Sequence, residues 1–113
     1  MRESEVEQYL VKQVKAVSGS KAYKWVSPGN LGVPDRIVVW SFGVVDFVEL
    51  KAPGEKPRAS QIVRLIELID NDQNVYVLDS RDRVDEYVRG ELRPLTRVEL
   101  LAMAQKEEPV GEI

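Results

Sequence analysis

The sequence contains no histidine and no cysteine among its 113 residues. A disulfide framework and a thiolate metal site are therefore excluded, and any catalytic chemistry must use other side chains. No apolar run approaches the roughly 20 residues that a membrane span needs. The segment Met1–Glu5 is charged and lacks the apolar core of a signal peptide. We therefore expect an intracellular, cytoplasmic protein without a membrane partner.

The chain also lacks an excess of positive charge, because its 16 lysine and arginine residues are outnumbered by 19 aspartate and glutamate residues and the formal net charge is -3. Most simple DNA-binding modules are basic, so this balance argues against tight nonspecific binding of duplex DNA. A bound metal would offset acidic residues, and basic residues cluster locally at Lys51, Lys56 and Arg58. With 43% hydrophobic residues, the chain is expected to bury the core of one compact domain.

The hydrophobic pattern predicts a mixed α/β layer fold with the element order α-β-β-β-α-β-α. Arg36–Trp40 and Val44–Leu50 are predicted to form an antiparallel hairpin. The apolar segment Val75–Leu78 is predicted to be an interior strand, parallel to its neighbour. The other predicted elements are a helix at 3–17, a strand at 22–26, a helix at 59–69, a helix from about residue 80 to 89 and a last short helix after Thr96.

We place the main domain at residues 1–93. Residues 94–113 are assigned to a short C-terminal helix and a frayed tail, which form either part of the same domain or an appendage.

Two carboxylates and a lysine stand close together in this pattern. Glu49 and Lys51 are two residues apart, so on a strand they point to the same face. Asp35 comes just before the first strand of the hairpin, which would bring it beside them. Two carboxylates and an ammonium group in a small space form a site for a hard divalent cation and for a group that orients water. This is chemistry for cutting a phosphodiester.

Each of these residues also has an ordinary structural interpretation. Asp35 is typical of a turn, Glu49 and Lys51 of a charge pair on a solvated face, and Gln61 of a helix surface. Both faces of the strand at 44–50 are mostly apolar, however, so we expect the strand to be covered on both sides. Charges at its end would then lie at a rim or cleft, which favours a functional site.

The fragment Gly32-Val33-Pro34-Asp35-Arg36, followed by Phe47-Val48-Glu49-Leu50-Lys51 and then Gln61, resembles the VRR-NUC domain of the PD-(D/E)xK nuclease superfamily. The resemblance covers residues 3 to 89 and extends to the small stand-alone members found in phages and bacteria. It implies a restriction-endonuclease-like core in which helices flank a central mixed β-sheet. It also implies a metal-dependent DNA endonuclease that acts on branched DNA, such as Holliday junctions or flaps, as a homodimer.

The resemblance assigns roles to particular residues. Asp35 and Glu49 would ligate Mg²⁺ or Mn²⁺, and the carbonyl group of Leu50 is the expected backbone ligand. Lys51 would orient the attacking water and steady the charge that develops on the phosphate. Gln61 would reach into the site from its helix.

A glutamate of the first helix would complete the acidic set, and the local pattern leaves both Glu3 and Glu7 open, with Glu3 slightly preferred. Trp25 and Trp40 are expected to anchor the core or an interface rather than to stack on bases. Candidate DNA contacts are basic side chains and the backbone N–H groups of the loop before the acidic site: Lys24, Lys56 and Arg58, and Ser27, Gly29 and Asn30.

Two other functions stay open at this point. The chain would be a catalytically weak DNA-binding or structural relative if another subunit supplied the targeting. It would be a nuclease for linear DNA or RNA if the same fold served another substrate, because fold and site do not fix the substrate.

Overall fold

A four-stranded mixed sheet in the order β1-β2-β3-β4 forms the centre of the fold. In the computed structural model, residues 1–105 are described, and the predicted tail at 106–113 lies outside them. The strands are β1 (Lys21–Lys24), β2 (Arg36–Val39), β3 (Val45–Leu50) and β4 (Asn74–Leu78). The helices are α1 (Glu3–Lys15), α2 (Ala59–Asp70), α3 (Arg81–Val88) and α4 (Arg97–Gln105). The predicted α/β class and the order of the first seven elements are confirmed, and α4 is the predicted last short helix.

The pairing of the strands confirms the predicted hairpin and corrects one strand. β2 pairs antiparallel with both β1 and β3. β4 pairs parallel with β3, as predicted, but it is an edge strand rather than an interior one. Its apolar sequence reflects burial on both faces of the sheet, and an edge strand has this burial too when helices cover both faces. Outside it, the backbone N–H of Leu95 donates to the carbonyl oxygen of Val75 at 2.8 Å.

Helices α1 and α3 cover one face of the sheet. Val6, Leu10 and Val14 recur every four residues on α1 and are fully buried, together with Val48 and Leu50 of β3. Complete burial of each such side chain contributes about 1.5–3 kcal/mol. The packing fixes α1 across the sheet with its first residue near the end of β3.

Helices α2 and α4 cover the other face. Ile62 and Leu65 of α2 pack with Val75 of β4 and with Leu100, which is fully buried on α4. The division of the chain at residue 93 stays a prediction. None of the helices within residues 1–105 is long and apolar enough to cross a membrane.

The segment between β1 and β2 is held against the start of α2. The N–H of Asn30 donates to the carbonyl oxygen of Ser27 at 3.0 Å, and Gly29 has φ 85°, a value typical of the third residue of a type II turn. Gly32 also has a positive φ of 89°, and a Cβ atom there would lie 2.4 Å from the Ser60 carbonyl oxygen. Only glycine therefore allows the loop to approach the helix this closely.

Replacing Gly32 with alanine is expected to destabilise the protein more than replacing Gly29. Both residues have a positive φ, so both variants carry the backbone strain of about 1–3 kcal/mol. Only at Gly32 does the new methyl group clash, because nothing lies within 4 Å of a Cβ atom at Gly29. Thermal unfolding of the two variants measures the difference. Equal losses of Tm would show that the close approach has no energetic weight.

Candidate active site

The acidic site forms where β2 begins and β3 ends. Arg36 is the register partner of Val48, so one further step of the same register places Asp35 opposite Glu49. The N–H of Leu50 donates to Oδ2 of Asp35 at 2.9 Å, which ties the two strand ends together. Directly opposed residues of antiparallel strands direct their side chains to the same face. The hairpin thus brings the two carboxylates together.

Glu49 is a buried carboxylate without hydrogen-bond donors. Its residue is 1% exposed, and neither Oε1 nor Oε2 has a hydrogen-bond partner. Nζ of Lys51 lies 3.5 Å from Oε2, which is an ion pair without hydrogen-bond geometry. Burial, followed by the negative charge of Asp35, raises the pKa of Glu49 to about 8. Such a group is costly to keep ionised unless a cation binds it.

Asp35 has a similar but milder environment. Burial raises the pKa of its carboxyl group, and the hydrogen bond from the Leu50 N–H offsets part of that rise. Two neighbouring carboxylates with raised pKa values are an environment that a cation would stabilise.

A divalent cation with oxygen ligands fits this pair. Within residues 1–105, no group of three or more acidic side chains is placed to hold a metal ion together. The candidate metal ligands in this part of the chain are therefore Asp35 and Glu49, and the carbonyl group of Leu50 is the predicted third ligand. Mg²⁺ commonly binds through one or two carboxylates and keeps several waters. The oxygens of Glu49 can serve as such ligands because neither accepts a hydrogen bond, although Oε2 also lies 3.5 Å from Nζ of Lys51.

The stability of the metal-free protein is expected to fall as the pH rises. The pKa of Glu49 is about 8 in the folded protein against an ordinary 4.5, so the folded state retains a proton that the unfolded chain releases between these values. The unfolding free energy therefore falls by up to about 1.4 kcal/mol per pH unit in this window. Urea denaturation in EDTA from pH 5 to 8 measures the slope, which Glu49→Gln should reduce. Parallel curves for the two proteins would contradict the burial argument.

The two glutamates of α1 have different surroundings. Glu3, at the start of the helix, is half-buried, and burial raises its pKa while the positive charge of Lys51 lowers it. Glu7 lies one turn further on and is held by two cations. Its Oε2 accepts hydrogen bonds from Nε of Arg36 at 2.8 Å and from Nζ of Lys24 at 3.0 Å. Both charges reach the acidic pair, since Glu7 raises the pKa of Asp35 and Glu3 that of Glu49. Because Glu7 is already held by two cations, Glu3 is the better candidate for a further acidic residue at the rim of the site.

Arg36 is a site neighbour that the sequence interpretation did not single out. Its side chain is only 14% exposed, and NH1 donates to the carbonyl oxygen of Ala22 at 3.3 Å. By joining α1 to β1 next to Asp35, it fixes the position of the first helix. The signal was its place directly after Asp35 in the motif.

Substituting the two glutamates one at a time is expected to separate their roles. Glu3→Gln should reduce DNA cleavage with little change in Tm, because within residues 1–105 the side chain of Glu3 makes no hydrogen bond or ion pair. Glu7→Gln should lower Tm, because it leaves the largely buried Arg36 without its ion pair. Cleavage rates and thermal unfolding of both variants test this. A larger loss of cleavage in Glu7→Gln than in Glu3→Gln, with Tm unchanged, would reverse the assignment.

Gln61 lies at the start of α2 and caps it. It is 7% exposed, and its Oε1 accepts a hydrogen bond from the N–H of Arg58 at 2.8 Å. Its position three residues into the helix start is the sequence signal for this cap, which the interpretation as a site residue did not use. A contact between its side-chain amide and substrate stays a prediction. The positive end of the helix dipole here favours a phosphate group.

The predicted DNA contacts lie on segments that border the site. Lys24 ends β1, and its side chain is 52% exposed although it pairs with Glu7. The others stand in the turn before β2 and in the segment that leads into α2: Ser27, Gly29, Asn30, Lys56 and Arg58. Their contact with DNA stays a prediction.

Comparisons with known proteins identify the family of this chain. No family model matches the sequence. The chain is 48% identical over 82 residues to a protein of Acyrthosiphon pisum secondary endosymbiont phage 1 named "Putative nuclease p44", a match that spans 73% of this chain and 87% of that protein. A solved structure named "VRR_NUC domain" is similar with a TM-score of 0.73 and 28% identity, covering 80% of this chain and 97% of its own. The chain belongs to the VRR-NUC domain family.

Proposed function

We propose that this protein is a metal-dependent DNA endonuclease that hydrolyses phosphodiester bonds, with a preference for branched DNA. The observation that carries the proposal is the environment of Glu49. This buried carboxylate lies next to Asp35 and Lys51, and neither of its oxygens accepts a hydrogen bond. A bound cation would offset the cost of burying this charge, and the carboxylate holds no backbone or side-chain hydrogen bond of the fold. The nuclease name of the phage relative supports the same reaction class.

Asp35, Glu49 and the Leu50 carbonyl group would hold Mg²⁺ or Mn²⁺. When bound, such a cation neutralises charge on the scissile phosphate and lowers the pKa of a bound water. Lys51 is 3% exposed and its ammonium group is fixed near Glu49, so it is pre-oriented to position a water molecule and to stabilise the negative charge of the phosphate. Glu3 would complete the acidic rim.

The N-terminus of α2 would help to hold the DNA backbone. Lys56 and Arg58 stand just before this helix, and the positive end of its dipole adds to their charge. These local positive charges offset the acidic balance of the whole chain where the substrate must lie. The other predicted contact segment, with Ser27 and Asn30, approaches the same helix through Gly32.

A homodimer would suit a symmetric junction, because two sites then cut two strands in register. One copy of 113 residues also offers limited area for gripping DNA. Phe42 is 66% exposed and is a candidate contributor to the interface, whereas Trp40 is 6% exposed and belongs to the core. The cytoplasmic location stays a prediction.

A substrate panel tests this function. We expect the purified protein to cut four-way junctions or flaps faster than linear duplex in Mg²⁺ or Mn²⁺, and to cut nothing in EDTA. Single-stranded DNA and RNA complete the panel. Cleavage that persists in EDTA would contradict metal dependence, and faster cleavage of RNA or of linear duplex would replace the proposed substrate. Binding without cleavage of any substrate would indicate a catalytically weak relative.

A further inference from the structure

A pocket of about 260 Å³ opens between α2 and the segment that joins β1 to β2. Drug-sized ligands occupy pockets of about 300–1,000 Å³, so this one suits a single small heterocycle. Its lining combines one aromatic ring with amide, charged and aliphatic groups: Trp25, Asn30, Val33, Arg64, Glu67, Leu68 and Asn71.

Trp25 connects this pocket to the acidic site. Its N–H donates to the carbonyl oxygen of Asp35 at 3.1 Å, which extends the β1–β2 register by one residue. Trp25, Asp35 and Glu49 therefore form one row across three neighbouring strands, with side chains on the same face. The Trp25 ring is half-buried and packs against Phe47 at 5.5 Å between centroids. Trp25 thus lines the pocket, while its backbone lies opposite Asp35.

The rim of the pocket offers hydrogen-bonding groups of the kind that read base edges. Arg64 is fixed by two hydrogen bonds, from Nε to the Leu31 carbonyl oxygen at 2.9 Å and from NH1 to Oε2 of Glu67 at 2.9 Å. Nδ2 of Asn71 donates to the Glu67 carbonyl oxygen at 2.8 Å, so the amide oxygen remains an acceptor. An aromatic platform combined with side-chain amides and a guanidinium group is the usual equipment for binding an unstacked base.

Leu31 adjoins the pocket through its neighbour in sequence, Asn30, and through Arg64, both of which line it. Leu31 is 76% exposed, yet its backbone is anchored by Arg64 on one side and by the close approach of Gly32 to α2 on the other. An exposed apolar side chain on an anchored backbone, in the segment that leads to Asp35, can enter a base step, as apolar wedges do in other DNA complexes.

We propose that the pocket receives one unpaired nucleobase of the bound strand, which stacks on Trp25, while Leu31 fills the space that the base leaves. The inference rests on the proposed nuclease function and gives it a physical basis for selecting branched DNA. Extruding a base costs least where it is already unpaired. Nucleotides at a flap or branch point therefore bind more readily than those of an intact duplex.

Three duplexes that differ at one position test the proposal: fully paired, with a single-nucleotide bulge, and with an abasic bulge of the same backbone. The Lys51→Ala protein in Mg²⁺ allows binding to be measured without cutting. We expect the bulge to bind about 5- to 150-fold more tightly than the abasic bulge, the range for one base–aromatic stack. Equal affinity for the two bulges would overturn the proposal, because the protein would then recognise only the bent backbone.

Variants of the pocket supply the second arm. Trp25→Ala should remove the difference between the two bulges, and Trp25→Phe should keep most of it. Leu31→Ser should weaken binding of the bulge, whereas Val98→Ser, at a position equally exposed at 76% on α4, should not. If Trp25→Ala fails to fold, Leu31→Ser and Val98→Ser decide alone. Equal effects of these two serine variants would contradict a wedge.

The outcome is separable from that of the nuclease proposal. The same comparison in protein with Lys51 intact gives kcat/KM for each DNA. Cleavage of all three duplexes at equal kcat/KM would leave the nuclease standing and refute the base pocket. Absence of cleavage of these duplexes and also of four-way junctions and flaps in Mg²⁺ or Mn²⁺, together with a preference for the base-containing bulge, would refute the nuclease and retain the pocket.

Discussion

Lys51→Ala is expected to lower the rate of DNA cleavage by at least about 100-fold, the lower end of what one positioned proton-transfer or charge-stabilising group contributes. Lys51 is the cation that pairs with Glu49, at 3.5 Å, and its side chain is 4% exposed. No solvent ion can take the same position at no cost. Single-turnover cleavage at saturating Mg²⁺ measures the loss of the chemical step directly.

The Lys51→Ala protein should still fold near neutral pH. Without the ammonium group the pKa of Glu49 rises further, so its carboxyl group is protonated and the burial of a bare charge is avoided. Stability should then decline more than in the wild type above pH 8. Lys12→Ala, at an exposed position on α1, is the matched control for removing one positive charge. A wild-type cleavage rate in Lys51→Ala would remove Lys51 from the site.

Asp35→Asn is expected to abolish metal-dependent cleavage while stabilising the metal-free protein. Asparagine can still accept the hydrogen bond from the Leu50 N–H at its side-chain oxygen. The substitution removes the negative charge that raises the pKa of Glu49. We expect at least about a 100-fold loss of cleavage and a gain of a few degrees in Tm in EDTA.

Addition of metal should reverse that order of stability. Mg²⁺ that binds the native state would stabilise the wild type by mass action, whereas Asp35→Asn lacks one of the proposed ligands and should gain much less. Thermal unfolding of both proteins in EDTA and in a series of Mg²⁺ concentrations measures the crossing. Equal gains in Tm from Mg²⁺ in the two proteins would place the bound ion elsewhere.

The hairpin and the acidic pair were accessible from sequence because they depend on local rules. Alternation along Val44–Leu50 places Glu49 and Lys51 on one face, and antiparallel pairing of adjacent strands brings Asp35 to them. The parallel pairing of β4 with β3 also followed from its apolar pattern. Its place at the sheet edge did not, because burial on both faces looks the same in the sequence of an edge strand and of an interior strand.

The parts of the site that depend on tertiary packing were not accessible in this way. Glu3 and Glu7 have the same helical spacing to apolar neighbours, and the ion pairs of Glu7 with Arg36 and Lys24 distinguish them. Gln61 reads as a surface residue until its cap of α2 is known. Trp25 was expected to anchor the core or an interface, and the position of its half-buried side chain opposite Asp35 depends on the register of β1.

We propose above all that Asp35 and Glu49 jointly hold a divalent cation beside Lys51. Crystals grown with Mn²⁺ and measured for anomalous scattering test it most directly, because the map locates the ion without reference to activity. We expect one peak within about 2.5 Å of an oxygen of each carboxylate. A peak at neither residue, in crystals where Mn²⁺ is bound elsewhere or absent at saturating concentration, would contradict it.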